Sequence, residues 1–239
     1  MKVNERAWFN PLLAAGLGIL LGLLLAVFSP GEFLSGLWRS TLFCIILSGL
    51  FYLAYRYVNP PRAILVIAVA AFLLRIGVGT WLSNALPEIG FDTPVQNAGY
   101  VYADAYERDQ FSYVSAFPER WEGPEKPSDQ GIDQYGGLTA ISKAVYRVFS
   151  SDAHRPLLIV YLSAFFMGVG MLFFWSAVNA GWGKRIALIA CLVMALYPEG
   201  VLLGSSQMRE PLLIGLASAT LWMTLLFSKG DRHFWRIVS

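Results

Sequence analysis

The chain has 239 residues, of which 56% are hydrophobic and only 14% charged. Soluble domains carry about a quarter charged residues, so this composition excludes an ordinary water-soluble domain and points to a membrane protein. A net charge of +2 with no basic run gives nucleic-acid binding no support, and the two cysteines, Cys44 and Cys191, sit in apolar stretches that exclude a disulfide framework.

The first long apolar run is residues 11–28, PLLAAGLGILLGLLLAVF. Lys2 and Arg6 precede it as they would a signal peptide. Its length, the Pro30–Gly31 pair after it and the lack of a small-x-small cleavage site predict an uncleaved anchor instead. Further runs follow at 40–57, 63–82, 156–178, 186–205 and 211–228. Crossing the hydrocarbon core takes about 20 helical residues, and a lipid-exposed strand would leave backbone groups unpaired. The sequence therefore predicts an all-α polytopic membrane protein with six transmembrane helices. Pro198, beside Glu199 in LYPEG, predicts an interrupted or tilted fifth span, because proline removes a backbone donor.

Basic residues beside the spans set the expected orientation. With a cytoplasmic N-terminus, the inner segments carry Lys2, Arg6, Arg56, Arg62, Lys184, Arg185, Lys229, Arg232 and Arg236. The two short outer segments carry only Arg39 and Arg209. This arrangement places the long connection 83–155, with eleven of the sixteen acidic residues, outside the membrane.

A connection of that length is expected to hold structure of its own. Residues 104–117 begin DAYE, an Asp and a Glu at capping-box spacing, which predicts a helix with Asp104 as its N-cap. Arg108 then lies four residues on, placed to pair with Asp104. PERWEGPEKPSDQG, residues 118–131, reads as a mobile connector, and Gly136 and Gly137 of DQYGG permit a tight turn. Residues 137–149 predict a helix lying in the membrane interface, with Leu138, Ile141, Val145, Val148 and Phe149 on one face.

Chemistry has few places to sit. Asp104 is an N-cap or, just beyond a span, a general base for an incoming hydroxyl. Glu107 and Asp109 are weaker, since on that helix they point in other directions. SSQMREP, residues 205–211, puts Arg209 and Glu210 at a membrane boundary, either as a local ion pair or facing a phosphate. Arg75 lies about 10 Å below the span's end at Trp81, either snorkelling or facing the bundle. Asp133 caps, binds a metal or does nothing, and His154 lacks metal-ligand spacing and receives no role. No Walker loop, HExxH or GxSxG is present.

An arginine-bearing span (Arg75), an external loop opening on DAYERDQ, the helix DQYGGLTAISKAVYRVF and the later boundary YPEGVLLGSSQMREPLL follow one another in order. This order resembles the GT-C membrane glycosyltransferases, in particular the protein mannosyltransferase-like and aminoarabinose transferase-like branch. The resemblance covers residues 63–228 and divides the chain into two N-terminal spans, 1–62, and a GT-C-like core, 63–239. With six spans, the chain is similar to the N-terminal part of such an enzyme.

The resemblance implies transfer of a sugar from a polyprenyl-phosphate donor to an acceptor hydroxyl on the outer face of a prokaryotic cytoplasmic membrane. It makes Asp104 the base and assigns the donor phosphate and substrate to Arg209, Arg75, Tyr106 and Tyr135. Glu210, Asp109 and Asp133 would hold a divalent cation, Mg or Mn, or orient the acceptor. The competing expectation is a non-catalytic membrane protein that binds or translocates the same lipid-linked glycan. A small-molecule transporter lacks support, since no paired broken helices or inverted repeat are visible.

Overall fold

The computed structural model describes residues 9–120 and 136–228, and among them it contains helices and no strands. Helix α1 (Pro11–Phe28) starts where the sequence predicts, with the Asn10 carboxamide accepting from Leu13 N at 2.9 Å and Pro11 in the first turn. Helix α2 (Phe33–Val58) runs antiparallel to it and ends on Asn59 in the left-handed conformation. The two pack backbone to backbone. A Cβ added at Gly22 would stand 2.3 Å from Thr41 Cα, and one at Gly18 would stand 2.6 Å from Ile45 Cα. Glycines four apart allow this approach, which any side chain would prevent.

Helix α3 (Arg62–Ile89) is longer than its predicted span of 63–82 and continues through Pro87. At about 1.5 Å per residue it measures roughly 42 Å, so it is longer than a hydrocarbon core of about 30 Å. Helix α7 (Leu157–Trp182) is the axis of the bundle and is buried on all sides by α2, α3, α8 (Lys184–Leu196) and α10 (Glu210–Ser228). It meets α10 at a second glycine contact, where a Cβ on Gly170 would lie 2.7 Å from Gly215 Cα.

The predicted fifth span is interrupted, as Pro198 implies. Helix α8 gives way to α9 (Pro198–Gly204) with a 60° bend. Among the described residues, five helices are long and apolar enough to cross a membrane, or six if this bent pair counts as one.

The connection between α3 and α7 forms a layer on one end of the bundle. It holds α4 (Pro94–Asn97), α5 (Ala103–Ala116), a short 3-10 turn at Pro118–Arg120, and α6 (Gly136–Phe149). Two expectations need correction here. Helix α5 starts at Ala103 with Tyr102 in the cap position and no capping side chain, so Asp104 stands inside the first turn and is not its N-cap. The carbonyl of Tyr102 accepts from Tyr106 N, and this register turns Asp109 inward to the hydroxyl of Tyr100. Arg108 is buried and does not reach back to Asp104. In α6 the buried residues are Leu138, Thr139, Ser142 and Tyr146, while Val148 of the expected apolar face is exposed. Leu138, Ile141, Val145 and Phe149 of that face do turn inward, and α6 also packs on α5, where the Tyr146 hydroxyl reaches Asp109.

A salt bridge ties this layer to the α1–α2 turn. The Arg155 guanidinium holds Asp152 in two bonds of 2.5 and 2.7 Å, and Arg39 adds a third contact at 2.5 Å. Arg155 is fully buried against Gly36. Its guanidinium holds the Asp152 carboxyl well below the usual carboxylate range. A depressed folded-state value stabilises the protein above the ordinary carboxylate pKa, and that contribution fades as pH falls through the lowered value. Asp152→Asn is expected to cost about 2 kcal/mol at neutral pH, because it leaves the Arg155 charge buried with weaker compensation. Its melting temperature should also fall less below pH 4 than the wild type's does. A pH series of melts on both proteins checks this, and parallel curves would refute it.

Candidate functional site

Of the three carboxylates on helix α5, Asp104 and Asp109 stand in opposite circumstances. Asp104 is exposed in the first turn, with no hydrogen bond or ion pair among the described residues, and it complements the helix dipole there. Asp109, five residues on, has a side chain closed to solvent. Small residues Ala105, Ser112 and Ala116 share its face, and α5 packs closely on α6.

Three side chains from three segments converge on Asp109. Tyr100, before α5, donates to Oδ2 at 2.5 Å, and Tyr146 of α6 donates to Oδ1. His154, in the link to α7, brings Nε2 to 2.7 Å from Oδ2. Burial and the Asp109 charge both push the Tyr100 and Tyr146 hydroxyls well above the ordinary tyrosine pKa, so they stay protonated as donors. Tyr113 stacks on the His154 ring at 4.2 Å and 22°, and Tyr146 meets it edge-on.

The segment 205–209 lies against this layer. Arg108 donates to the Gln207 carbonyl at 2.8 Å, and Gln207 Nε2 donates to the Pro156 carbonyl at 3.0 Å. Arg209 and Glu210 stand at the rim as a loose pair, 3.5 Å apart and each about one-third exposed. Glu210 and Glu199 both flank Tyr102. Burial raises the pKa of its hydroxyl, and these two carboxylates raise it further. Tyr102 precedes Asp104 by two residues, so the start of α5 borders the ends of α9 and α10.

An apolar groove of about 560 Å³ lies between α7, α8 and α10. Phe174 of α7, Val193, Met194 and Tyr197 at the end of α8, and Ile214 and Leu221 of α10 line it. At its upper end the Tyr197 hydroxyl donates to Glu199 at 3.0 Å.

The other predicted site residues are scattered. Arg75 is fully buried and gives its donors to the carbonyls of Ala71, Ala195 and Met194. Tyr106 lies half-buried, edge-on to Tyr100. Asp133 and Tyr135, with most of the expected connector 118–131, lie outside the described residues. A cation site does not emerge from the expected set. Asp109 is enclosed by its tyrosines, and among the described residues no three His, Cys, Asp or Glu groups stand together for a metal ion. Sequence reasoning missed His154 because its partner lies 45 positions away. The small-residue stripe of α5 was a readable sign that Asp109 faces inward.

No family model, curated protein or solved structure matches the chain.

Proposed function

We propose that this chain is a membrane glycosyltransferase, or the N-terminal part of one, that moves a sugar from a polyprenyl-phosphate donor to an acceptor hydroxyl on the outer face of the membrane. The observation carrying the reading is the groove between α7, α8 and α10, which is apolar along its length and has Tyr197 in its lining, with Glu199 on the Tyr197 hydroxyl and the Arg209–Glu210 pair one turn before Ile214 of the groove wall. An isoprenoid tail fits an apolar channel, and a phosphate linked to a sugar fits a guanidinium and carboxylates at its mouth. Asp104, exposed two residues beyond Tyr102, engages the acceptor hydroxyl in this reading. The excess of Lys and Arg at the opposite turns supports placing the rim outside.

Asp104→Asn tests the assignment in an assay with a polyprenyl-phosphate sugar. Turnover is expected to fall by about 10²-fold or more, since the amide cannot take a charge or a proton. Full retained turnover would remove Asp104 from the site. Donor binding by the wild type with no transfer to any acceptor would instead favour a non-catalytic carrier of the same lipid.

A further inference from the structure

The groove between α7, α8 and α10 has two walls of equal and limited length. On α8 its lining runs from Ala190 to Tyr197 and on α10 from Ile214 to Leu221, each wall taking positions i, i+3, i+4 and i+7 of its helix. Seven positions of helix rise about 10 Å. Two contacts set these walls side by side. Gly170 of α7 meets Gly215 near the start of the α10 wall, and Cys191 Sγ of α8 stands 4.0 Å from the Met171 carbonyl. Phe174 of α7, about a turn beyond both, therefore lies toward the Ala190–Leu221 end. Past that end α8 reaches back to Lys184 and α10 runs on to Ser228, but neither stretch lines the groove.

Polar groups stand at one end. The Tyr197 hydroxyl donates to Glu199, and the Arg209–Glu210 pair lies one turn before Ile214. Further along the walls, the Ser218 hydroxyl is spent on the Ile214 carbonyl at 2.7 Å. An occupant of the walls is therefore hydrocarbon, with its charged group at the Tyr197 end. Helices α8 and α10 both pack on α7 and make no extended contact with each other. Val193 and Leu221 of the walls are exposed, so the groove is open along its side.

We infer that this groove reads the two isoprene units next to the donor phosphate and is indifferent to the rest of the tail. The inference rests on the donor reading above and narrows it to a short head segment. A prenyl unit adds four main-chain carbons, which span about 5 Å when extended with bonds of about 1.5 Å. Walls of about 10 Å therefore hold two units. The remaining tail leaves between α8 and α10 into lipid, where it gains nothing by touching protein, because lipid is equally apolar.

The test uses the full chain in lipid nanodiscs, with ligands measured per mole of bilayer lipid so that partitioning does not enter. A photoreactive geranyl phosphate is displaced by dimethylallyl, geranyl, farnesyl and undecaprenyl phosphates, in order of length. Geranyl phosphate should displace it about tenfold better than dimethylallyl phosphate, through the dispersion contacts of its second unit. Farnesyl and undecaprenyl phosphates should match geranyl within about threefold. Affinity that keeps rising to the longest chain, or that is equal for the first two ligands, overturns the inference. Ala217→Phe fills the middle of the α10 wall and should weaken geranyl and longer chains about tenfold, whereas Leu216→Phe, exposed and outside the lining, should not. Wild-type binding by Ala217→Phe overturns the inference, as does a change in its oligomeric state, which would give the groove to a partner helix. If no prenyl phosphate displaces the probe, the donor reading fails as well. If displacement follows the expected order but no sugar is transferred from a prenyl-phosphate donor, the inference stands and the transfer reading fails.

Discussion

Asp109→Ala is expected to destabilise the protein by about 4 kcal/mol, the largest effect of any single side-chain removal in the α5–α6 layer. The substitution leaves the Tyr100 and Tyr146 hydroxyls, both buried, with no acceptor, and it leaves His154 Nε2 facing an empty space. Each buried donor without a partner costs about 1–3 kcal/mol, and the vacated volume adds a cavity term. Asp109→Asn keeps the volume and one acceptor oxygen, so about half that loss is expected. Unfolding of the purified protein in detergent measures both variants, with proteolysis at α5 and α6 as a local reading. An alanine variant that melts with the wild type would show that the tyrosines find other acceptors.

Arg75→Leu should cost about 3 kcal/mol, for a reason set by a proline 123 positions later. In a continuous helix the Met194 carbonyl would accept from the amide of residue 198, and Pro198 has no amide hydrogen. The 60° bend also draws the next amide away from Ala195. Arg75 supplies both missing donors, at 2.9 Å to Met194 and 3.2 Å to Ala195. A Cβ at residue 204 would stand 2.6 Å from its side chain, so Gly204 keeps this path open. Leucine removes the cost of burying a charge but leaves two carbonyls unpaired in apolar surroundings, where the backbone penalty is largest. Arg75→Lys retains charge and donors but not the fork that spans two carbonyls, so a loss of about 1–2 kcal/mol is expected. Equal stability of the leucine variant would mean that the bend does not depend on Arg75. The same bend holds Tyr197 and Glu199 at the mouth of the groove, so the leucine variant should also weaken donor binding.

The apolar helices and their break were legible because each depends on chain-local physics. A run of about 20 apolar residues has few alternatives to a helix, Asn10 and Pro11 mark the start of α1, and Pro198 breaks its helix wherever it is placed. Their ends were less legible. Helix α2 begins seven residues before its apolar run, where Arg39 meets Asp152 from a distant segment.

The amino-acid sequence by itself determined an all-helical chain with six apolar stretches long enough to cross a membrane, an interrupted fifth one and a polar, helix-bearing connection between the third and fourth. Only the tertiary structure decided which charges are sealed. DAYERDQ offers Asp104 and Asp109 on one short helix, and their positions relative to the preceding span rank the first above the second. Folding reverses their environments, because the hydroxyls of Tyr100 and Tyr146 and the imidazole of His154 come from three separate segments to enclose Asp109. The same holds for Arg75, whose partners lie about 120 positions away. Helical periodicity is a property of neighbours along the chain, whereas satisfying a buried charge depends on whatever the fold brings beside it.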